Sequence, residues 1–169
     1  LVFRERNSYL IPFLEGITSK EIHKMQTISG NSGNAIDQIF GCPKALIGMI
    51  HCPPFPGSPR YRGETLEQIY DVCLRDAEGL IGNGLQGLVI ENHGDVPFSK
   101  PDEIGPETSA FMSVVVDRIK RDFDVPVGIN VLANAPIPAF AIARATGAAF
   151  IRVNQWANAY IANEGFMEG

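Results

Sequence analysis

Between residues 45 and 153 the chain alternates short apolar runs with longer stretches in which apolar positions recur at helical spacing. Residues 45–50 (A-L-I-G-M-I) form a continuous apolar run, as expected of a strand covered on both faces in a parallel sheet. Residues 85–90 (L-Q-G-L-V-I) predict a second strand, residues 125–132 contain a third, and residues 149–153 (A-F-I-R-V) a fourth. In the first gap Thr65 and Gln68 fit a capping box. Ile69, Cys73, Ala77, Leu80 and Ile81 then recur on one helical face before Gly84 supplies a stop. In the second gap Pro106 suits a first helical position, and Met112, Val115, Val116, Ile119 and Phe123 follow on one face. An Ala-rich stretch at 138–146, ended by Gly147, predicts the third helix. The pattern is βαβαβαβ, and right-handed crossovers between parallel strands make either a barrel or a doubly wound open sheet.

The ends read differently. Residues 36–40 predict a short helix beneath the bottom of a barrel, and Trp156 and Tyr160, four apart, suggest a helical packing face. Residues 1–41 mix Ser, Gly and Asn with short apolar patches and read as a flexible extension, which leaves 42–169 as the folded domain. Arg4, Arg6, Lys20 and Lys24 give this leader a weak likeness to a mitochondrial targeting peptide, which Glu5, Glu15 and Glu21 oppose. A cytoplasmic location is the default expectation.

Length narrows the fold. An eight-unit barrel takes about 250 residues, and this chain has 169. The expectation is an α/β fold of the parallel (β/α) TIM-barrel type, incomplete, with about four strands of eight and cut after the fourth. A formal net charge of -5 without a Lys/Arg cluster argues against nucleic acid or an anionic membrane as a charge-driven partner. Cys42, Cys52 and Cys73 are odd in number and lack metal-binding spacing. No apolar run reaches the roughly 18 residues that cross a bilayer.

The loop after the first strand, His51-Cys52-Pro53-Pro54-Phe55-Pro56-Gly57-Ser58-Pro59, carries no phosphate-loop fingerprint, and its four prolines have no N–H to offer an anion. Chemistry is expected instead from side chains at the strand ends, where parallel α/β folds bind ligands. His51 follows strand one, Glu91 and Asn92 strand two, Asn130 and Asn134 belong to strand three and its loop, and Arg152 and Asn154 to strand four; His93 and Asp95 lie in the second loop. His51 and Glu91 are the candidate catalytic pair, as acid/base or metal-facing groups. Asn92, Asp95, Asn130, Asn134, Arg152 and Asn154 are the candidate ligand-binding residues, with Arg152 suited to phosphate or carboxylate. Each has a structural alternative: Glu91 and Arg152 pairing with each other, the asparagines pinning loops, Asp95 capping a loop rather than joining Asp102 and Glu91 around a metal. Cys52 beside His51 suggests a thiol nucleophile, but adjacent residues in an extended strand face opposite ways.

These residues also carry a family likeness. The string from Ala45 through His51-Cys52-Pro53-Pro54-Phe55-Pro56-Gly57 to Tyr61 resembles the opening signature of the BtpA/SgcQ family. Gly87-Leu88-Val89-Ile90-Glu91-Asn92-His93-Gly94-Asp95, Gly128-Ile129-Asn130-Val131-Leu132 and Phe150-Ile151-Arg152-Val153-Asn154 resemble its later motifs in order. The resemblance implies a TIM-barrel-like fold with a second half to follow. It also implies relatives that support photosystem I accumulation in phototrophs, and hence a protein partner or peripheral membrane association. It names no cofactor, substrate or settled activity. Where relatives carry Arg-Asn-Asp this chain has Ala133-Asn134-Ala135, and where they carry Thr-Asp-Gln-Gly it has Ala162-Asn163-Glu164-Gly165, so charged groups at 133, 135 and 163 are missing near the expected mouth. The two functional expectations are a small polar or phosphorylated ligand at the strand ends and a noncatalytic assembly factor holding a protein partner, with homo-oligomerisation compatible with either.

Overall fold

The apolar runs become one parallel sheet because each is short, rich in Ile, Val and Leu, and flanked by a helix that covers it. The computed structural model describes residues 34–169; most of the extension expected at 1–41, including the leader's charged residues, lies outside the described residues. In chain order the elements are α1 (Ala35–Phe40), β1 (Ile47–His51), α2 (Leu66–Gly82), β2 (Gly87–Glu91), α3 (Pro106–Asp122), β3 (Val127–Asn130), α4 (Pro136–Thr146), β4 (Phe150–Ile151), β5 (Ala159–Ala162) and β6 (Gly165–Glu168). The sheet runs β1-β2-β3-β4, parallel throughout. β1 and β4 each have one neighbour among the described residues, so the barrel-like sheet is open.

Two faces of this sheet do different work. Ile50, Ile90 and Ile129 stand in register and, with Leu88 and Val127, pack under Ile69 and Cys73 of α2, Met112, Val115, Val116 and Ile119 of α3, and Ile142 of α4. All are at most 1% exposed, and each buried Ile contributes about 1.5–3 kcal/mol. The opposite face carries Ile47 and Met49 below and the polar strand ends above. α1 closes its lower end: Phe40 meets Phe150 edge to face at 5.6 Å, and its ring occupies the space a side chain at Gly87 would need.

The caps follow the sequence. Thr65 Oγ1 accepts from Gln68 N at 3.2 Å while Gln68 Oε1 accepts from Thr65 N at 2.8 Å, a complete capping box. Gly41 and Gly147 close α1 and α4 in the left-handed conformation.

Four boundaries depart from the sequence pattern. α2 is capped at Asn83, one residue before Gly84. α4 begins at Pro136, since its prolines at the first turn give up only N–H groups that have no intrahelical partner. β4 pairs over two residues rather than five, although Arg152 N still reaches Ile129 O at 2.8 Å. Trp156 and Tyr160 do not form a helical face: Trp156 lies in a bend at 72% exposure and Tyr160 sits in β5. β5 and β6 form an antiparallel hairpin that pairs Tyr160 with Met167 inside and Ile161 with Phe166 outside. Helical spacing misled there because a two-residue spacing holds equally at i and i+4.

Candidate functional site

Register assembles the strand-end group. His51 pairs with Glu91 and Glu91 with Asn130 across the parallel sheet, so the three side chains project from one face at one level. Arg152 joins them one ladder bond beyond β4. The Glu91 carboxylate is the hub: Oε1 accepts from Asn130 Nδ2 at 2.5 Å and from Arg152 Nη1 at 3.3 Å, and Oε2 lies 3.3 Å from His51 Nε2. Glu91 is 4% exposed, whereas the side chains of His51 and Arg152 are about half exposed. A buried carboxylate is tolerable only with such partners. Asn130 is fully buried, and its Oδ1 has no hydrogen-bond partner among the described residues. An acceptor left in that state costs about 1–3 kcal/mol. His51 is shelved on its open side by His93, whose ring stacks at 4.2 Å and 16° and in turn meets Phe98 edge to face.

A second group holds the lips of the mouth in place. Asn92 Oδ1 accepts from Leu132 N at 2.7 Å, and its Nδ2 donates to Leu132 O at 3.2 Å and to Asp95 Oδ2 at 3.0 Å. Asp95 Oδ1 accepts from Phe55 N at 2.8 Å, tying down the proline-rich lip. Burial raises the Asp95 carboxyl above its ordinary pKa, against the pull of its hydrogen bonds from Phe55 and Asn92. Gly94 is required where it stands: its N–H reaches Cys52 O at 3.0 Å, and a Cβ would lie 2.5 Å from Pro54 N. Asn134 accepts from Gln155 N and donates to Glu168 O, each at 2.8 Å, which anchors the β5–β6 hairpin above the sheet. A small cavity of about 50 Å³ borders Asn92 and Asp95 and is lined further by Ser58, Glu107 and Thr108. None of His51, Glu91, Asn130 or Arg152 lines it.

Thus His51, Glu91, Asn130 and Arg152 come together, Asn92, Asp95 and Asn134 pin loops beside them, and Asn154 is exposed with no hydrogen bond among the described residues. Arg152 and Asn154 do not share a strand face, because β4 ends at Ile151. The Glu91–Arg152 pair realises the structural alternative weighed from the sequence. The Arg152 side chain stays half exposed beside this contact. Cys52 is buried with its Sγ 3.7 Å from Cys73 Sγ. The Cys73 contact, then burial, push its thiol well above the ordinary value, which removes it as a nucleophile. Among the described residues no three His, Cys, Asp or Glu side chains are placed to hold a metal ion. His93 carried no role in the sequence reading; it stands in a 3-10 turn, His93–Asp95, directly after β2, where strand spacing does not place a side chain.

A profile described as the BtpA family matches residues 42–169. An uncharacterized protein of Pyrococcus horikoshii is 43% identical over 126 residues, 75% of this chain and 48% of that protein. The photosystem I biogenesis protein BtpA of Synechocystis is 36% identical over 132 residues, 78% of this chain and 45% of its own length. An uncharacterized mitochondrial protein of Caenorhabditis elegans is 34% identical over 140 residues, covering 79% and 50%. The chain spans about half the length of the curated relatives it matches. No solved structure matches. The open parallel sheet, its ordered strand-end motifs and the match over 42–169 make this chain a member of the BtpA family.

Proposed function

We propose that this chain binds a small polar ligand, one bearing phosphate among the forms it takes, at the carboxyl ends of β1–β4. The observation that supports it is the convergence of His51, Asn130 and Arg152 on the single buried carboxylate of Glu91. In this reading Glu91 is a positioning group. Its Oε2, 3.3 Å from His51 Nε2, orients the ring, with the imidazole as the acid/base group. Arg152 uses one N–H on Glu91, and its half-exposed guanidinium keeps others for an acceptor on the ligand. Asn92, Asp95 and Asn134 set the loops around it, and Asn154 stands at the rim. The division into an extension at 1–41 and a barrel-type domain at 42–169 goes with this reading, supported by where the family match begins. A thermal-shift screen of phosphate and phosphorylated metabolites tests it: a ligand that raises the melting temperature of the wild type and fails with His51→Ala and Arg152→Ala supports the site, and a ligand that stabilises all three equally refutes it.

A second reading, an assembly factor that holds a protein partner, is favoured by Trp156, Ile161 and Phe166, which are 72%, 84% and 61% exposed on and beside the hairpin. The Synechocystis relative, a photosystem I biogenesis protein by name, goes the same way. If complementation by His51→Ala matches the wild type while Ile161→Asp/Phe166→Asp fails, this reading replaces the first. Among the described residues no helix is long and apolar enough to cross a membrane. The mitochondrial label of the worm relative makes that compartment the one to examine first, by imaging a tagged full chain.

A further inference from the structure

We propose that Cys52 and Cys73 form an oxidation site: a small two-electron oxidant joins them as a disulfide that fastens the proline-rich lip and the end of β1 to α2. This does not depend on which ligand the strand ends take. Both thiols are free; Cys52 directly follows β1, and Cys73 lies in the first half of α2. Cys73 Sγ–H donates to Cys52 Sγ across 3.7 Å, so the two sulfurs are already in contact. A disulfide needs about 2.05 Å, a closure of about 0.8 Å from each side. The surroundings suit the product. Both residues belong to the apolar core, at 1% and 0% exposure, and a disulfide brings no charge into it and demands no hydrogen-bond partner.

The step breaks two S–H bonds and forms one S–S bond. Its two electrons and two protons pass to the oxidant, reducing hydrogen peroxide to water or glutathione disulfide to two glutathione thiols. Burial makes the step slow, because both sulfurs are covered and the Cys73 contact, then burial, keep the Cys52 thiol protonated. The equilibrium is a separate matter, set by how closely the fold holds the two sulfurs. The consequence falls at the mouth. Cys52 N donates to Glu91 O at 2.9 Å, and Cys52 O accepts from Gly94 N at 3.0 Å. The residue fixed by the bond is thus the one that ties the end of β1 to β2 and to the turn after it. The bond also closes residues 52–73 into a ring that contains the whole lip, which restricts the unfolded chain more than the folded one.

Equilibration of the full chain in glutathione redox buffers, with and without denaturing urea, tests this, with the 52–73 disulfide read by acid quenching, alkylation and peptide mapping. The folded chain should be half oxidised at a ratio of squared glutathione to glutathione disulfide at least tenfold higher than the unfolded chain. Amide exchange at Phe55, Gly57 and Ser58 should slow severalfold in the oxidised form. Half-oxidation at the same or a lower ratio in the folded chain overturns the site, and so does a map in which Cys42 alone reacts. Formation of the bond without slower exchange overturns the fastening of the lip. Each comparison uses the unaltered chain, so none turns on whether a variant folds.

Discussion

A buried carboxylate that accepts two hydrogen bonds cannot lose its charge without disturbing them, so Glu91 carries the first expectation at the residue scale. Glu91→Gln puts an amide beside the Asn130 and Arg152 N–H donors, or 3.3 Å from His51 Nε2. The cost is about 1–3 kcal/mol, below the figure for a fully buried pair because His51 and Arg152 are half in solvent. Urea denaturation measures it; a loss within 0.3 kcal/mol of zero would mean that the network does not hold the fold together. Asp95 sets a pH dependence with a definite sign. Burial raises its pKa from the ordinary 3.8, so the folded chain binds the proton more tightly than the unfolded chain. The stability this brings is full below the ordinary value and is lost as pH rises through the raised one. The stability difference between wild type and Asp95→Asn, followed by denaturant midpoint across that window, should therefore move against the wild type as pH increases.

At the scale of elements, the hairpin and the first long helix respond differently to single changes. Asn134→Ala removes both bonds that tether the β5–β6 hairpin to the loop after β3. Amide exchange in 159–168 should then rise while exchange in β1–β3 stays unchanged. Thr65→Ala breaks the capping box of α2 and costs about 1 kcal/mol. The sequence made α2 and α3 legible because their buried faces, Ile69-Cys73-Ala77 and Met112-Val115-Val116-Ile119, keep an uninterrupted helical period. It made the level of His51 and Glu91 legible because each ends an apolar run, whereas Asn130 lies inside one and its level comes from the strand pairing. What it could not convey was pairing: that Arg152 would spend charge on Glu91, that Asn92 would bond the backbone of Leu132 forty residues away, or that Trp156 and Tyr160 belong to a bend and a strand. The first two depend on contacts distant in sequence, which local spacing does not encode; the third depends on a hairpin pairing Tyr160 with Met167.

For the molecule as a whole, β1 and β4 are the edges of the sheet among the described residues, and beside β1 an open groove of about 410 Å³ is lined by Met49, Arg75, Asp76, Gly79, Leu80 and Asn83. Parallel edges of this kind pair readily with another chain. The 169-residue chain should show concentration-dependent self-association by light scattering, which a Pro substitution at Met49 in the edge strand weakens; a monomer at every concentration would contradict this. The pairing of Glu91 with Arg152 has one more consequence, for kinetics. With the Glu91 carboxylate offsetting part of the Arg152 charge at the mouth, an approaching anion also feels the field of a chain whose formal net charge is -5. That field repels it, and dissolved salt weakens the repulsion. A phosphorylated ligand should therefore associate no more slowly, and even faster, as ionic strength is raised, the reverse of the behaviour of sites that draw anions in with unpaired lysine and arginine.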